Sequence, residues 1–199
     1  MGLPFYTRDS DPPAKREIMR AALKLFSERG LAVTSIRDIA VESGYTNPAL
    51  YKHFSSKDEL AQQLFETCHQ YFWNRCASAL TSTDDFEGKV EAYIGEWLSL
   101  VDEYPEVCAF LSDSARVLWP RAGQRVRELT MLALAGSLVA SAPAPRPADG
   151  TRQADPFAAV ACLQGTIEQI ARMIHVGAVQ GPAIRWKADL VAVLTKAIA

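Results

Sequence analysis

The sequence predicts an all-α protein in which three helices at the N-terminus precede a larger helical body. Apolar residues recur at the spacing of one helix face along nearly the whole chain, and no convincing run alternates with the period of a strand. The chain has 199 residues, of which 49% are hydrophobic, so it is long enough to bury a sizeable core. About nine helices account for the pattern.

Local signals bound the first two helices. The first is predicted over residues 14–29, with a glycine directly after it as a stop. The second starts at Thr34 or Ser35, because Ser35 and Asp38 resemble a capping box with Asp in place of Glu. Gly44 ends it, since glycine readily adopts the left-handed backbone that often follows a helix.

The third helix, which starts after Thr46, is short and mostly polar. Leu50 and Phe54 are its only large apolar residues. A helix of this length is not stable alone in water, so its neighbours must hold it. Ser56 and the glutamate three residues later make a capping box for a long fourth helix, predicted over residues 57–80.

Five more helices are predicted beyond the fourth. Their ranges are 84–103, 105–116, 120–139, 156–179 and 183–198. Residues 141–155 are rich in proline and in small polar residues, which is typical of a mobile loop.

The net charge of −2 hides an uneven distribution. Residues 1–57 hold nine Lys and Arg against six Asp and Glu, a balance of +3. Residues 58–199 hold twelve against seventeen, a balance of −5. A basic end on an acidic body is a mild indication of a polyanionic partner at that end.

Several classes of protein are disfavoured by patterns that the sequence lacks. It has no GxSxG, HExxH, P-loop or GxGxxG motif and no His or Cys pair at metal-ligand spacing, so we expect neither an enzyme nor a cofactor. The four cysteines lie far apart without a CxxC pair, which favours small buried core residues in a reducing compartment. With no apolar run of about 18 residues and no signal-peptide core, the expected location is the cytoplasm.

The stretch FSERGLAVTSIRDIAVESGYTNPALYKHFSSKDEL, residues 26–60, resembles the N-terminal domain of TetR-family (tetracycline-repressor-like) transcriptional regulators. The family pattern has T-x-x-x-x-I-A, a glycine turn, a short helix that ends L-Y-x-H-F, and an S-K-x-x-L helix start. The matching residues are Thr34, Ile39, Ala40, Gly44, Leu50, Tyr51, His53, Phe54, Ser56, Lys57 and Leu60.

The resemblance implies a helix-turn-helix DNA-binding domain over residues 12–57 and a ligand-binding and dimerisation domain over residues 58–199. In such a domain the third helix offers its polar face to the major groove. The residues that we expect at the DNA are Thr34, Ser35, Arg37, Thr46, Asn47, Pro48, Ala49, Tyr51, Lys52, His53 and Lys57.

The third helix supplies the residue types that read base edges. Asn47 suits a bidentate pair with adenine, Thr46 a bond to a base edge or a phosphate, and Ala49 a contact with a thymine methyl. Pro48 stands where the family often has glycine and removes an N–H donor, so any contact there is made by side chains or by packing. Asn47 has a second reading as a turn former.

The remaining DNA candidates fix register without reading sequence. Tyr51, Lys52 and His53 are expected at phosphates, as is Lys57 at the start of the fourth helix, where free N–H groups favour an anion. Structural roles stay open: Tyr51 packing its ring and His53 capping its helix. For Thr34 and Ser35, capping of the second helix is an equal alternative, and for Arg37 the equal alternative is an ion pair with Asp38 or Glu42.

Two stripes in the second domain are candidates for an effector site. Aromatic and polar residues recur on one face of the fourth helix and on one face of the fifth, although such stripes are often plain core. His69 is the residue most expected to offer a polar group. The candidates are Phe65, His69, Phe72, Cys76, Tyr93, Ile94, Trp97, Met131, Gln164 and Glu168.

A homodimer through residues 156–198 is expected, because the last two helices carry apolar faces wide enough for a four-helix interface. The alternative is that these faces pack only within the chain. The residues concerned are Val160, Leu163, Ile167, Ile170, Ile174, Leu190, Val193, Leu194 and Ala197.

The predicted function is a DNA-binding transcriptional regulator, most often a repressor in this family, which a small and largely apolar effector releases from a near-palindromic operator. One alternative is a helical protein-interaction module that keeps the fold without binding DNA. A third reading is an all-α enzyme that uses His69 or His175, which the lack of an acid/base or metal cluster disfavours.

Overall fold

The computed structural model describes residues 4–143 and 155–198, and within these ranges the chain forms helices and no strand. The all-α prediction is confirmed. No helix in the described ranges combines the length and the apolar character that a membrane crossing needs. The helices are α1 Pro13–Arg29, α2 Ile36–Ser43, α3 Asn47–Tyr51, α4 Lys57–Leu80, α5 Phe86–Glu103, α6 Pro105–Leu118, α7 Gln124–Glu128, α8 Met131–Ala140, α9 Pro156–His175 and α10 Lys187–Ile198, with single 3-10 turns at Trp119–Arg121 and Ala183–Trp186.

The observed helix ends agree with the predicted ones where a capping residue close in sequence determines the end. Helix α4 spans the predicted residues, and α2 begins after the predicted cap, Ser35. The cap of α4 differs in one bond. Ser56 Oγ accepts from the Glu59 amide as predicted, but the Glu59 carboxylate reaches the amide of Ser55 instead of that of Ser56.

The single helix predicted over 120–139 is wrong. A 3-10 turn, α7 and α8 occupy this range, because Gly123 and a new N-cap interrupt it. Thr130 provides that cap by accepting a hydrogen bond from the Ala133 amide at 2.8 Å. Helix α9 also ends earlier than predicted, at His175, where Gly177 takes a φ of 71°. Most of the loop predicted over 141–155 lies outside the described residues.

The chain forms two compact units that are discontinuous in sequence. Unit 1 comprises Met1–Tyr71 and Glu106–Arg127, and unit 2 comprises Phe72–Pro105 and Glu128–Ala199. The predicted division after residue 57 separates a DNA-binding domain from a ligand-binding and dimerisation domain. This functional division stays a prediction.

Unit 1 has an aromatic core that joins α1, α4 and α6. The Phe26 and Phe110 rings are 5.7 Å apart, and Phe65 meets Phe110 edge-on at 6.4 Å. The segment before α1 adds to this unit, since Phe5 stacks on Tyr71 at 3.8 Å. Tyr6 is also buried there, and burial raises its pKa to about 12.

Unit 2 has a core between α5, α8, α9 and α10, and part of the predicted dimer face belongs to this core. Val160, Leu163, Ile167 and Leu194 are buried within the unit, so the packing alternative holds for them. Ile170, Ile174, Leu190 and Ala197 are half-buried, whereas Val193 and Phe157 are largely exposed.

The cysteines follow the prediction with one exception. Cys68, Cys76 and Cys108 are buried thiols, and Cys162 is an exposed one on α9. Burial raises the pKa of the Cys108 thiol to about 12, so this thiol is unreactive at neutral pH.

Candidate functional site

The turn between α2 and α3 is built as the glycine predicts. Gly44 takes a left-handed φ of 74°, and its amide donates to Val41 O at 3.2 Å. The next amide, that of Tyr45, donates to Ala40 O at 3.0 Å. These bonds satisfy the last carbonyls of α2 and turn the chain directly into α3.

Helix α3 is held by its two apolar residues. Leu50 is 1% exposed and Phe54 is 2% exposed, so both are fully inside unit 1. Asn47, Pro48 and Tyr51 of the helix are exposed, which is the geometry that an interface helix needs. The helix-turn-helix of the predicted fold is confirmed.

The outward face of α3 carries most of the predicted DNA residues. The exposed residues on this face are Thr46, Asn47, Pro48, Tyr51 and Lys52. Thr46 is at the N-cap position but makes no side-chain capping bond, so the helix does not use its hydroxyl. A polar side chain that its own helix leaves unused is available to a partner.

Ala49 and His53 are half-buried and stand at the edge of this face. The His53 amide donates to Leu50 O at 2.9 Å as the chain leaves α3. Their role at the DNA stays a prediction.

At the start of α2, Ser35 has a capping role. Its hydroxyl donates to Asp38 Oδ2 at 2.6 Å and accepts from the Asp38 amide at 3.2 Å. The bonds from Ser35 lower the pKa of the Asp38 carboxyl below its ordinary value. Ser35 is nevertheless exposed, so capping does not hide it from a partner.

Arg37 is exposed on α2, and among the described residues it forms no ion pair. Glu42, one of its two predicted partners, pairs instead with Lys24 of α1 at 2.7 Å. Asp38, the other, is engaged by Ser35. The structure thus disfavours the salt-bridge alternative for Arg37 and leaves its guanidinium available.

Thr34 and Lys57 have hydrogen-bond partners within unit 1, and their predicted contacts with DNA stay predictions. Thr34 is 2% exposed, and its hydroxyl donates to Gly30 O at 2.9 Å. Lys57 is half-buried, and its Nζ donates to Leu31 O and to Thr34 O, each at 2.8 Å. Both side chains therefore hold the turn before α2, which favours the structural role for Thr34.

Two valines on unit 1 are candidates that the sequence reading missed. Val33 is 72% exposed and Val41 is 77% exposed. Val41 lies off the buried stripe of α2 that Ile39 and Ala40 define, and this offset was visible in the sequence. Where DNA binds beside it, an exposed apolar side chain can contact a sugar or a thymine methyl.

His69 is the most unusual of the predicted effector residues. It is 8% exposed, and its Nδ1 is buried without a hydrogen-bond partner. Its ring lies 5.1 Å from Trp119 and 6.2 Å from Phe65. Burial among these rings lowers the pKa of His69 to about 4, so the imidazole is neutral at pH 7. Trp119 was missed because it is 50 residues away in sequence.

Four predicted effector residues of unit 2 form a single hydrogen-bonded chain. Trp97 Nε1 donates to the Tyr93 hydroxyl at 3.1 Å, which donates to Gln164 Oε1 at 2.9 Å. Gln164 Nε2 then donates to Glu168 Oε1 at 2.8 Å. Burial raises the pKa of Tyr93 far above its ordinary value, so the phenol stays a donor.

The predicted effector residues divide between the two units. Phe65 and His69 belong to unit 1 and the other eight to unit 2. In unit 2, the Phe72 ring meets Trp97 edge-on at 5.9 Å, and Cys76 and Ile94 are fully buried. Met131 is half-buried as the first residue of α8.

Residues 18–64 match the family model described as bacterial regulatory proteins, tetR family. The matched range contains α2, the Gly44 turn, α3 and the start of α4, and it ends within α4. It therefore includes each of the exposed residues named above as candidates for DNA contact. The predicted resemblance is confirmed.

Several known proteins with a similar sequence or fold are named as regulators. The HTH-type transcriptional repressor KstR2 of Mycolicibacterium smegmatis is 26% identical over 110 residues, which is 54% of each chain, so this chain spans about half the length of that relative. The structure of the ketosteroid transcriptional regulator KstR2 of Mycobacterium tuberculosis has a TM-score of 0.79 at 18% identity, with 98% of this chain and 97% of that chain covered. The regulator FadR of Bacillus subtilis, solved in complex with stearoyl-CoA, has a TM-score of 0.67 at 15% identity, with 92% and 98% covered.

Proposed function

From the match of residues 18–64 to the tetR family of bacterial regulatory proteins, we propose that this chain is a member of that family. We propose further that it is a DNA-binding regulator of transcription controlled by a small-molecule effector. The observation that carries the proposal is the outward face of α3. Thr46, Asn47 and Lys52 are exposed on a helix whose two apolar residues hold it to unit 1. Repression is the proposed direction, because the curated relative is named a repressor.

The proposed operator is a near-palindrome read by a homodimer. One short recognition helix contacts few base pairs, whereas two copies related by a two-fold axis read two half-sites. Residues 156–198 are the proposed interface. The exposed apolar side chains of α9 and α10, Phe157 and Val193, support this region, although the faces named from sequence are partly buried within unit 2.

The proposed effector is largely apolar and uncharged near His69. The unpartnered Nδ1 needs a hydrogen-bond partner, and the rings of Phe65 and Trp119 beside it favour an apolar body. Because the imidazole is neutral, it suits a hydroxyl or another neutral polar group and does not attract an anion. The two proteins of the same fold suggest the first compounds to try, acyl-CoA thioesters and ketosteroids.

The test is a titration of the purified protein against labelled DNA from upstream of its own gene. We expect specific binding at least about 1,000-fold tighter than binding to a scrambled duplex of the same composition. The control is Asn47→Ala, which removes a base-reading side chain. Equal affinity for both duplexes would instead favour the protein-interaction alternative. Effectors are then screened on the complex by loss of DNA binding.

A further inference from the structure

The ammonium group of Lys57 is engaged inside unit 1. Its Nζ donates to Leu31 O and to Thr34 O, each at 2.8 Å. An ammonium has three N–H donors and no acceptor, so the backbone takes two of the three. Lys57 is the first residue of α4, and the two carbonyls belong to the turn that leads from α1 into α2.

The same turn is anchored to α1 through Thr34. Its buried hydroxyl donates to Gly30 O at 2.9 Å, and Gly30 is the residue that ends α1. The residue after Thr34 is Ser35, the N-cap of α2. Lys57 therefore holds the carbonyl of the residue directly before the N-cap of α2.

We propose that Lys57 is a positioning residue that ties the α1–α2 turn to the first turn of α4, so that α2 follows any displacement of the start of α4. The effect on DNA rests on the proposed function, and the proposal adds a route from α4, which carries His69, to α2. Charge-assisted hydrogen bonds of this kind are stronger than neutral ones. The exposed side chains of Ser35 and Arg37 move with the turn that they follow.

Lys52 provides a matched lysine in the same unit. It is exposed at the C-terminal end of α3, whereas Lys57 is half-buried. A lysine that only attracts phosphate needs its charge near the DNA and no fixed carbonyl partner. The two lysines thus separate the two roles: Lys52 is expected to bind phosphate, and Lys57 to hold the turn.

The experiment compares Lys57→Met with Lys52→Met by hydrogen exchange and by DNA binding at several salt concentrations. Methionine keeps the apolar stem and removes the ammonium. In free Lys57→Met we expect the bonded amides of Ser35, Asp38 and Ile39 to exchange about tenfold faster or more. Its DNA affinity falls while the slope of log K against log salt stays at the wild-type value. Lys52→Met keeps wild-type exchange, and its slope falls by about 1 per half-site.

Unchanged exchange in Lys57→Met, or a slope reduced as in Lys52→Met, overturns the proposal. If the Lys57→Met variant does not fold, NMR of the wild-type protein tests the same hydrogen bonds. Through-hydrogen-bond couplings from Lys57 Nζ to the carbonyls of Leu31 and Thr34 are expected by NMR, with and without DNA. Their loss on adding DNA would show that the ammonium moves to phosphate. Wild-type protein that binds no DNA specifically refutes the proposed function, whereas the exchange data test the tie independently.

Discussion

Buried His69 makes the folded chain sensitive to mild acid. Lowering the pH from 7 to 5 is the perturbation, because the unfolded chain titrates at the ordinary histidine pKa of about 6.5 and folded His69 at about 4. The folded pKa lies below the unfolded one, so the unfolded state takes up the proton first. The contribution of neutral His69 to the free energy of unfolding is complete above pH 6.5, and it is lost as the pH falls from 6.5 to 4.

The size of the effect follows from the two pKa values. Between pH 7 and pH 5 the proton binding of the unfolded state changes its free energy by about 1.9 kcal/mol, and that of the folded state by less than about 0.1 kcal/mol. The free energy of unfolding should therefore fall by about 2 kcal/mol from this residue alone. His69→Phe removes the titrating group and fits an aromatic environment, so the variant should lack this part of the decrease.

The assay is urea unfolding followed by tryptophan fluorescence at pH 7 and pH 5, at one protein concentration. The wild type should lose about 2 kcal/mol more than His69→Phe between these pH values. His175→Gln, which changes an exposed histidine, is the control and should behave as the wild type. Equal pH dependence in the wild type and His69→Phe would refute the depressed pKa and the burial on which it rests.

Three further predictions concern α3 and the core of unit 2. Asn47→Ala should cost about 1–3 kcal/mol on the specific duplex and relax specificity at one position, and an equal loss on scrambled DNA would contradict a base contact. Leu50→Ala should lower the free energy of unfolding by about 2–5 kcal/mol, since this fully buried residue anchors α3; a wild-type urea midpoint would disprove that anchoring. Tyr93→Phe should destabilise by about 1–3 kcal/mol, because it leaves Gln164 and Trp97 without their hydroxyl partner, while DNA affinity stays at the wild-type value; a DNA defect without a change in unfolding would count against the structural role.

Features encoded within a few residues were predictable from the sequence. The start of α4 follows from Ser56, whose hydroxyl accepts a hydrogen bond from the Glu59 amide. The α2–α3 turn follows from Gly44, which adopts a left-handed φ. The exposed face of α3 was also predictable, because Leu50 and Phe54 alone are apolar enough to fix which side is buried.

Contacts between distant residues were not predictable. Lys57 meets Leu31 across 26 positions and Thr34 across 23, and no local pattern reports such a pair. The same is true of the Tyr93 hydroxyl and Gln164, which are 71 positions apart. The apolar stripe of α9 revealed that one side of this helix is buried, but whether the chain itself or a second copy covers it depends on the tertiary packing.

The discontinuity of unit 1 matters for anyone who recombines regulators of this kind. A hybrid that joins residues 1–57 of this chain to the remainder of another keeps the helix-turn-helix but separates Phe26 from Phe110, its stacking partner on α6. In the hybrid, Phe26 would pack against whichever residue the foreign α6 carries at the position of Phe110. A transferable copy of unit 1 should consist of two pieces of sequence, residues 1–71 together with 106–127, or carry a foreign α6 rebuilt around Phe26.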